Sequence, residues 1–278
     1  MFATTGAEYT ALARRAAQTV RAVLPDIPIE MFTDQTGDLP EADVTFPLPD
    51  SHHRPKFHAL ANSRFDRAIY LDADIHAMAP FADLFDLLDK FDLAAAHDQY
   101  RNAGWPLAIW RTALPPSFPQ VNSGVLAARL TAPVRAFLRE VDETLRAENA
   151  ERDQPILREM LWHSDLALGI LPPEYNCFNF FALEAQNHLQ PGPRILHNSQ
   201  FHRAFTRDGS HTTGPEHVLG PALYRHARRL IAADRTLGAT GTTKVRRFSD
   251  QGILGDLRRR SWRLGKRGRQ LLDRLRRK

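Results

Sequence analysis

The sequence has only one cysteine, Cys177, in 278 residues. A single cysteine excludes an internal disulfide and any zinc site built from several cysteines, and it suits a reducing compartment. No run of 18 apolar residues occurs, so we predict no transmembrane helix. The first residues lack the basic start and the long apolar run of a signal peptide, and we therefore expect a cytoplasmic protein. The opening MFATT is short for an inner strand, so we expect the natural start to lie a few residues upstream.

Basic charge is scarce outside the C-terminal segment. Residues 244–278 hold 14 Lys and Arg against 3 Asp and Glu, whereas the remaining residues hold 23 basic and 29 acidic side chains. The isoelectric point of about 9.6 therefore reflects the tail and not the body. An acidic body argues against a nucleic-acid-binding core, and we expect no nucleic-acid partner.

Apolar runs and amphipathic segments alternate along the body. This pattern favours an α/β fold with a mainly parallel twisted sheet covered by helices on both faces. We predict one domain over residues 1–238 and a basic tail over 239–278. The predicted strands are 1–5, 27–34, 67–71, 92–97, 121–130, 166–171 and 194–197, and the fifth of these opens on a turn at Asn-Ser-Gly. The predicted helices are 7–24, 55–62, 131–149, 153–163 and 216–234, and residues 35–54 are predicted to be loop.

Two carboxylates, Asp72 and Asp74, follow directly after the apolar run AIYL. They lie where the third predicted strand leaves the sheet, and open α/β sheets bind ligands at the carboxyl ends of their strands. Side chains two residues apart on extended backbone share a face, so the two carboxylates repel each other. A divalent cation relieves that repulsion, and Mg²⁺ or Mn²⁺ commonly bridges such carboxylates to a substrate's phosphates. The alternative is that one aspartate caps a turn while the other is solvated.

Several segments occur in an order that resembles the GT-A glycosyltransferases. They are FATTGAEYTALARRAAQTVR, IYLDADIHAMAPFADLF, VNSGVLAARL, RDQPIL, LPPEYN and ILHNS. Among these enzymes the chain is most similar to the retaining family 8, which includes glycogenin and bacterial lipopolysaccharide galactosyltransferases. The resemblance spans residues 1–205. It implies the GT-A fold, a nucleotide-sugar donor that is usually a UDP-sugar, and a role in polysaccharide biosynthesis.

The resemblance also implies a metal site. Asp72 and Asp74 are the D-x-D motif that binds the metal and the donor, and His197 completes the site. His202, five residues further on, is the alternative ligand. An imidazole with two carboxylates suits Mn²⁺ somewhat better than Mg²⁺.

Further donor-binding positions follow from the same resemblance. Thr4 and Thr5 end the first strand, where relatives hold the nucleotide, and Lys56 matches a basic residue that relatives place on the donor. An exposed helix lysine is the alternative for Lys56. Asn122 lies near the donor sugar in relatives, although Asn-Ser-Gly is also a good turn sequence. Arg203 stands where relatives have a lysine on the diphosphate, but Gln200 replaces the glycine of that motif, so the loop geometry departs from the family pattern.

Asp153 and Gln154 match the D-Q pair that relatives place at the sugar and beside its anomeric carbon. Asp153 also suits a helix N-cap. Asp98 is expected to face the sugar or the acceptor, and Asn176 to line the far wall or to hold a turn. Because the amide of Gln154 carries no net charge, it is a poor nucleophile, and we favour retention by same-face attack. An inverting reaction would instead need a general base, for which Asp98 and Asp153 are the candidates.

Leucines recur in the tail at helical spacings, and arginines cover most of the remaining surface. These leucines are Leu254, Leu257, Leu264, Leu271 and Leu275. This pattern predicts a basic amphipathic helix that lies on an anionic membrane surface, at the inner face of the cell membrane. A lipid-linked acceptor would join the tail and the active site in one function. The alternatives are a disordered basic tail and, less favoured, a nucleic-acid contact.

The sequence therefore predicts a metal-dependent, retaining transferase that moves a hexose from a nucleotide sugar to a glycan or lipid-linked hydroxyl. A haloacid-dehalogenase-type phosphatase is one alternative, with Asp72 as its nucleophile. That family needs a later lysine, and no lysine occurs between Lys90 and Lys244. A non-catalytic glycan- or lipid-binding protein on the same fold is the other alternative.

Overall fold

The computed structural model describes residues 1–48, 54–208 and 214–251. The chain divides into two compact units. The first comprises Met1–Asn179 and Pro193–Val218, and the second comprises Phe180–Gly192 and the chain from Leu219 onwards. In the described residues, no helix combines the length and the apolar character that crossing a membrane requires. The predicted amphipathic helix of the tail lies outside these residues, and it stays a prediction, as does the boundary at residue 238.

The described part of the first unit contains nine strands, which build two larger sheets and one two-stranded sheet. They are β1 (Phe2–Thr4), β2 (Glu30–Thr33), β3 (Val44–Pro47), β4 (Arg67–Leu71), β5 (Ile75–Ala77), β6 (Leu93–His97), β7 (Val121–Arg129), β8 (Leu168–Leu171) and β9 (Ile195–His197). Parallel strands form one larger sheet in the order β1-β2-β3, and the other larger sheet has the order β4-β7-β6-β8. Met1 joins them, because its amino group donates to the carbonyl of Ile69 and its own carbonyl accepts from the amide of Leu71.

The direction of β7 brings distant sequence segments together. This strand runs antiparallel to both β4 and β6, whereas β6 and β8 are parallel. As a result the beginning of β7 lies beside the end of β4, with Leu71 opposite Val125. A third antiparallel pair, β5 with β9, forms the two-stranded sheet and places Ile75 opposite His197. The residues that follow β4 therefore meet the start of β7 and the end of β9.

Helices of the first unit cover both faces of its central sheet. The first unit contains α1 (Ala7–Val23), α2 (Lys56–Asn62), α3 (Leu84–Leu87), α4 (Ala132–Ala147), α5 (Gln154–His163) and α7 (Gln200–Asp208), and α8 (Pro215–Leu219) lies at its end. The second unit contains α6 (Phe180–Ala185) and α9 (Pro221–Ala233). Ala68 and Tyr70 of β4 pack into a core with α2, α4 and α5, while Ile69 and Leu71 pack into a second core with α1. This alternation is what a strand buried on both faces requires.

The predicted fold class is confirmed, and most predicted elements form within a few residues of their expected bounds. Three local predictions are wrong. The helix predicted over 216–234 is divided at Gly220, whose φ of 77° lies outside the helical region, into α8 and α9. β3 lies inside the stretch predicted to be loop, as a short strand at the edge of its sheet where propensity is a weak guide. The segment Asn122–Gly124 lies within β7 and not in a turn, because pairing and full burial override the local turn preference.

A buried histidine links parts of the second unit. His226 lies on α9 and is 2% exposed. Its Nε2 contacts the carbonyl oxygen of Gln186 at 3.2 Å, and its Nδ1 contacts the side-chain amide nitrogen of Gln251 at 3.1 Å. Both contacts are satisfied when the ring is neutral, because Nε2–H then donates and Nδ1 accepts. Burial accordingly lowers the pKa of His226 below its ordinary value.

Candidate functional site

A cleft opens at the carboxyl ends of β1 and β4. Its volume is about 450 Å³. Five of the predicted donor-binding residues line it: Thr4, Thr5, Lys56, Asp72 and Asp74. The lining also includes side chains that the sequence analysis did not assign to the donor, among them Tyr9, Arg54, Tyr70, Ser199 and His202.

Asp72, Asp74 and His197 converge beside this cleft. One ligand atom from each lies within 4.8 Å of the other two. His197 Nε2 is 3.3 Å from a carboxylate oxygen of Asp74 and 3.8 Å from one of Asp72. Two carboxylates and an imidazole form a donor set for a divalent transition metal, so the three predicted metal ligands are brought together.

A chain of hydrogen bonds orients the histidine ring. The backbone amide of Gly124 can only donate, and it donates to Asn122 Oδ1 at 3.0 Å. The same oxygen accepts from Asn176 Nδ2 at 3.0 Å, which leaves Asn176 Oδ1 to accept from His197 Nδ1–H at 2.9 Å. The neutral ring therefore presents the lone pair of Nε2 to the two aspartates. Support of this kind fixes the tautomer of metal-binding histidines.

Gly124 leaves room for the imidazole. A Cβ at this position would lie 2.0 Å from His197 Cε1, 2.6 Å from His197 Nδ1 and 2.9 Å from Asp72 Oδ2. The Gly124 carbonyl also accepts from the amide of Asp72 at 2.8 Å. The glycine of the Asn-Ser-Gly segment is thus a requirement of the cluster itself, and the structure gives it a packing role in place of the predicted turn.

Mutual charge sets the ionisation of this cluster. Burial raises the pKa of Asp74, but His197 outweighs it, so the pKa of Asp74 lies below its ordinary value. Burial lowers the pKa of His197, but Asp74 and Asp72 outweigh it and raise the pKa above 6.5. Without a metal the ring therefore tends to carry the positive charge that a cation would supply.

Lys56 is a buried cation that connects two parts of the site. Its side chain is 4% exposed, which excludes the alternative of an exposed helix lysine. Lys56 Nζ lies 3.2 Å from Asp72 Oδ1, 3.3 Å from Asp153 Oδ2 and 3.0 Å from Ser123 Oγ. Burial lowers the pKa of Lys56, but Asp153 and Asp72 outweigh it, so the pKa is raised overall.

Asp153 is the buried counter-ion of this lysine. Its Oδ2 also accepts from Ser123 Oγ at 2.5 Å, and its Oδ1 lies 3.8 Å from Arg54 Nη1. Burial raises the pKa of Asp153, but Lys56 and Arg54 outweigh it and hold the pKa below its ordinary value. Asp153 precedes α5 without a side-chain capping bond, so it is held by the cations and by Ser123 and does not cap the helix.

Gln154 and Asp98, which were predicted to lie near the sugar or the acceptor, are connected to each other through Gln120. Gln154 Oε1 accepts from Gln120 Nε2 at 3.3 Å, and the carbonyl of Gln120 accepts from the amide of Asp98 at 2.8 Å. The buried carboxylate of Asp98 accepts from the amide of Tyr100 at 2.9 Å and from Trp105 Nε1 at 3.3 Å. Burial raises the pKa of Asp98 in spite of these bonds.

Two residues near the start of α7 differ from expectation in their surroundings. His202 contacts Glu8 at 2.6 Å and stacks on Tyr9, so it lines the cleft but lies outside the three-residue cluster found among the described residues. Arg203 is exposed on α7 and does not line the described cleft. Its predicted contact with the diphosphate stays a prediction.

Ser123 and Arg54 are the polar partners that the sequence analysis missed. Ser123 is the middle residue of the Asn-Ser-Gly segment, and Arg54 lies two residues before Lys56. The alternation of a strand would have placed Ser123 on the opposite face from Asn122 and Gly124, had the segment been predicted as strand.

Residues 57–203, slightly more than half of the chain, match the family described as nucleotide-diphospho-sugar transferase. Among solved structures, the galactosyltransferase LgtC in complex with donor and acceptor sugar analogs aligns with a TM-score of 0.50 and 18% identity, over 77% of this chain and 96% of LgtC. An active-site mutant of LgtC aligns with a TM-score of 0.51 and 19% identity, over 81% of this chain and 98% of LgtC.

The glycosyltransferase GlyE of Streptococcus pneumoniae TIGR4 aligns with a TM-score of 0.53 and 17% identity, over 81% of this chain. The chain spans 63% of the length of GlyE. At these identities the structural likeness shows the GT-A fold alone. No curated protein sequence matches the chain significantly.

Proposed function

The chain belongs to the nucleotide-diphospho-sugar transferase family, and from this premise we propose that it transfers a hexose from a UDP-sugar to an acceptor hydroxyl in a metal-dependent, retaining reaction. Family membership makes it a glycosyltransferase, and the proposal concerns the donor, the metal and the stereochemistry. The observation that carries it is the convergence of Asp72, Asp74 and His197 at the mouth of a cleft that also holds Lys56.

The three ligands fit a divalent metal on their own chemistry. The His197 lone pair faces two carboxylates, and Gly124 leaves the space in which the ring sits. The metal that fits best is Mn²⁺, held by Asp72, Asp74 and His197. The same residues would also hold Mg²⁺, for which the nitrogen ligand is less suited. When bound, the ion would act as a Lewis acid that neutralises charge on the departing nucleoside diphosphate.

Cationic side chains support the nucleotide part of the donor. Lys56 and Arg54 line the cleft together with Thr4 and Thr5 from the end of β1. Because Lys56 already neutralises Asp72 and Asp153, we propose that it orients the two carboxylates and adds positive potential where the diphosphate binds. Arg203 would reach the diphosphate only from outside the described cleft.

The contacts of Asp153 favour retention by same-face attack. A carboxylate nucleophile needs a free oxygen, but the oxygens of Asp153 are engaged by Lys56, Ser123 and Arg54. Gln154 is uncharged and serves as a polar group beside the anomeric carbon. We propose that the departing phosphate takes the acceptor's proton. If the reaction instead inverts, Asp98 is the better base, because burial raises its pKa while the pKa of Asp153 is lowered.

We propose a glycan or lipid-linked acceptor and a reversible contact of the tail with the inner face of the cell membrane. The support is the net charge of +11 over residues 244–278 and the leucine spacing. Anionic lipid attracts a basic segment by about 1 kcal/mol for each Lys or Arg near the surface. No nucleic-acid partner is proposed, because the remaining residues carry an acidic excess.

The metal and the donor are tested together by thermal unfolding with UDP. UDP should raise the unfolding temperature of the full chain much more with Mn²⁺ than with EDTA, since a ligand at 100 times its Kd stabilises by about 2.7 kcal/mol. Asp74→Asn should lose this difference, whereas Asp86→Asn, at an exposed aspartate outside the cleft, should keep it.

The transfer itself is followed by NMR of the product's anomeric proton with a panel of UDP-sugars. We expect the donor's anomeric configuration in the first product formed. If UDP raises the unfolding temperature equally with Mn²⁺ and with EDTA, the metal site is overturned. If the product has the inverted anomeric configuration, same-face attack is replaced by the mechanism in which Asp98 is the general base.

A further inference from the structure

A second, smaller cavity lies next to the sugar end of the site. Its volume is about 170 Å³, and Asp98, Gln120, Arg101 and Arg158 line it together with proline and leucine side chains. It shares no lining residue with the cleft that holds Asp72 and Lys56. Small-molecule sites usually measure about 300–1,000 Å³, so this cavity suits one substituent of a ligand and not a whole ligand.

Arg158 brings a buried positive charge to this cavity. It is 8% exposed. Its Nε donates to the carbonyl of Phe118 at 2.9 Å and its Nη2 to the carbonyl of Pro115 at 3.1 Å. Within residues 1–48, 54–208 and 214–251, no carboxylate forms an ion pair with it. A buried guanidinium held only by neutral carbonyls is costly, because its charge has left water without a counter-ion.

Arg101 increases the demand for an anion. It lines the same cavity and donates to the carbonyl of Pro116 at 2.8 Å, again without an acidic partner in the described chain. Burial lowers the pKa of Arg158, and the charge of Arg101 lowers it further. A ligand of opposite sign relieves the repulsion between two like charges at one cavity.

Gln120 supplies an independent sign of a missing ligand. It is 2% exposed, and its Oε1 is buried with no hydrogen-bond partner among the described residues. Its Nε2 donates to Gln154 Oε1 at 3.3 Å, so the amide group that carries the unpartnered oxygen adjoins Gln154. A buried carbonyl oxygen without a donor costs about 1–3 kcal/mol, and a sugar hydroxyl would supply that donor.

We propose that this cavity is an acceptor subsite for an anionic sugar, with Arg158 and Arg101 binding a carboxylate or phosphate group and Gln120 accepting from a hydroxyl of the same sugar. This inference rests on the proposed glycosyl transfer and specifies its acceptor class. The planar fork of arginine matches carboxylate and phosphate oxygens in pairs, and such charge-assisted bonds are roughly twice as strong as neutral ones. Asp98 would then bond a hydroxyl of the sugar and not its charged group.

Binding of three matched probes to the full chain with UDP and Mn²⁺ tests the proposal. They are methyl β-D-glucuronide, methyl β-D-glucoside 6-phosphate and the neutral methyl β-D-glucoside, measured by NMR titration. We expect at least one anionic probe to bind tenfold or more tightly than the neutral one. Preference for the carboxylate identifies a uronic-acid acceptor, and preference for the phosphate identifies a sugar phosphate.

Variants assign the preference to the cavity. Arg158→Gln should abolish it, and Arg101→Ala, at an exposed residue whose loss leaves the core intact, should reduce it severalfold. Arg111→Ala is the matched control, because Arg111 is an exposed arginine of the same loop that pairs with Glu148. Thermal unfolding of each variant verifies that it is folded.

The proposal would be overturned if the three probes bind equally or if neither anionic probe binds measurably. It would also be overturned if the preference for an anionic probe persists in both Arg158→Gln and Arg101→Ala. A variant that loses affinity for UDP-glucuronate but not for UDP-glucose would move the subsite to the donor sugar and equally overturn it. Failure of the proposed function is separate, since it would appear as no binding or hydrolysis of any nucleotide sugar by the unmodified chain.

Discussion

Gly124→Ala tests the geometry of the metal cluster with a single methyl group. The added Cβ would lie 2.0 Å from His197 Cε1. Carbon atoms in contact prefer about 3.5–4.0 Å, so the ring must move by about 1.5 Å or more. The hydrogen bond that His197 Nδ1 donates to Asn176 Oδ1 and the pairing of β9 with β5 oppose that movement.

The expected result is a folded protein with a damaged metal site. Overpacking a buried position costs about 1–3 kcal/mol, which is less than the about 5–15 kcal/mol of a typical domain. Metal–ligand distances tolerate only about 0.2 Å, so a displaced imidazole no longer binds. We expect the affinity for Mn²⁺, measured by titration of the full chain, to fall by at least the 10- to 100-fold that loss of an orienting partner costs.

Two comparisons separate this effect from a general loss of stability. Gly169→Ala adds a Cβ in β8 that meets the Phe91 ring at 3.0 Å, and it should lower stability without changing the affinity for Mn²⁺. Adding His197→Ala to Gly124→Ala removes the clash with the ring and leaves only the 2.9 Å approach to Asp72 Oδ2, so the double variant should lose less stability than the sum of the two single losses. Wild-type affinity in Gly124→Ala, or additive losses of stability in the double variant, would refute the reasoning.

Three other perturbations have expected outcomes. Lys56→Met leaves the buried carboxylate of Asp153 and the half-buried carboxylate of Asp72 without this cation, and it should cost about 3–5 kcal/mol in urea unfolding, whereas Lys90→Met, at an exposed lysine, should change little; equal losses would contradict the role of Lys56 in the network. Burial lowers the pKa of His226 below its unfolded value of about 6.5, so the unfolded state binds more protons and the free energy of unfolding should fall as pH drops through that value. The fall should be smaller in His226→Gln, and parallel curves of stability against pH for the two proteins would contradict this prediction. Replacing the arginines at 258–260 by glutamate should reduce co-sedimentation with phosphatidylglycerol vesicles at low salt more than the same change at the exposed arginines 225, 228 and 229; equal reductions would remove the membrane role from the tail.

The position of the aspartates was predictable because it depends on local chemistry. A buried apolar strand followed by two carboxylates can be recognised from Arg67 to Asp74, and the structure places β4 and the cluster there. The meeting of Asp72 with His197 was not derivable from spacing, since it depends on the antiparallel pairing of β5 with β9. Only the family resemblance joined these residues in advance.

The segment Asn122–Gly124 shows why the rest was harder. Its three residues favour turns when considered locally, but both neighbouring strands pair with β7 and bury it. Once the segment is extended, Asn122 and Gly124 lie on the side of Asp72 and His197, and Ser123 faces Lys56 and Asp153. The sequence alone identified the Asn-Ser-Gly motif. The different contacts of its three residues could be assigned only once the segment was known to be part of a strand.

Asp72 couples the two parts of the site because its oxygens have different partners. Oδ1 accepts from Tyr70 at 2.9 Å and lies 3.2 Å from Lys56, while Oδ2 lies 3.8 Å from His197. A cation bound at Oδ2 can therefore leave the contact with Lys56 in place, and Lys56 in turn holds Asp153. Since Asp153 immediately precedes Gln154, the position of this pair depends on the same lysine that neutralises Asp72. Under the proposed function, metal binding and sugar orientation would therefore be linked through the buried charge of Lys56, and a change at Asp72 should affect the Asp153–Gln154 pair.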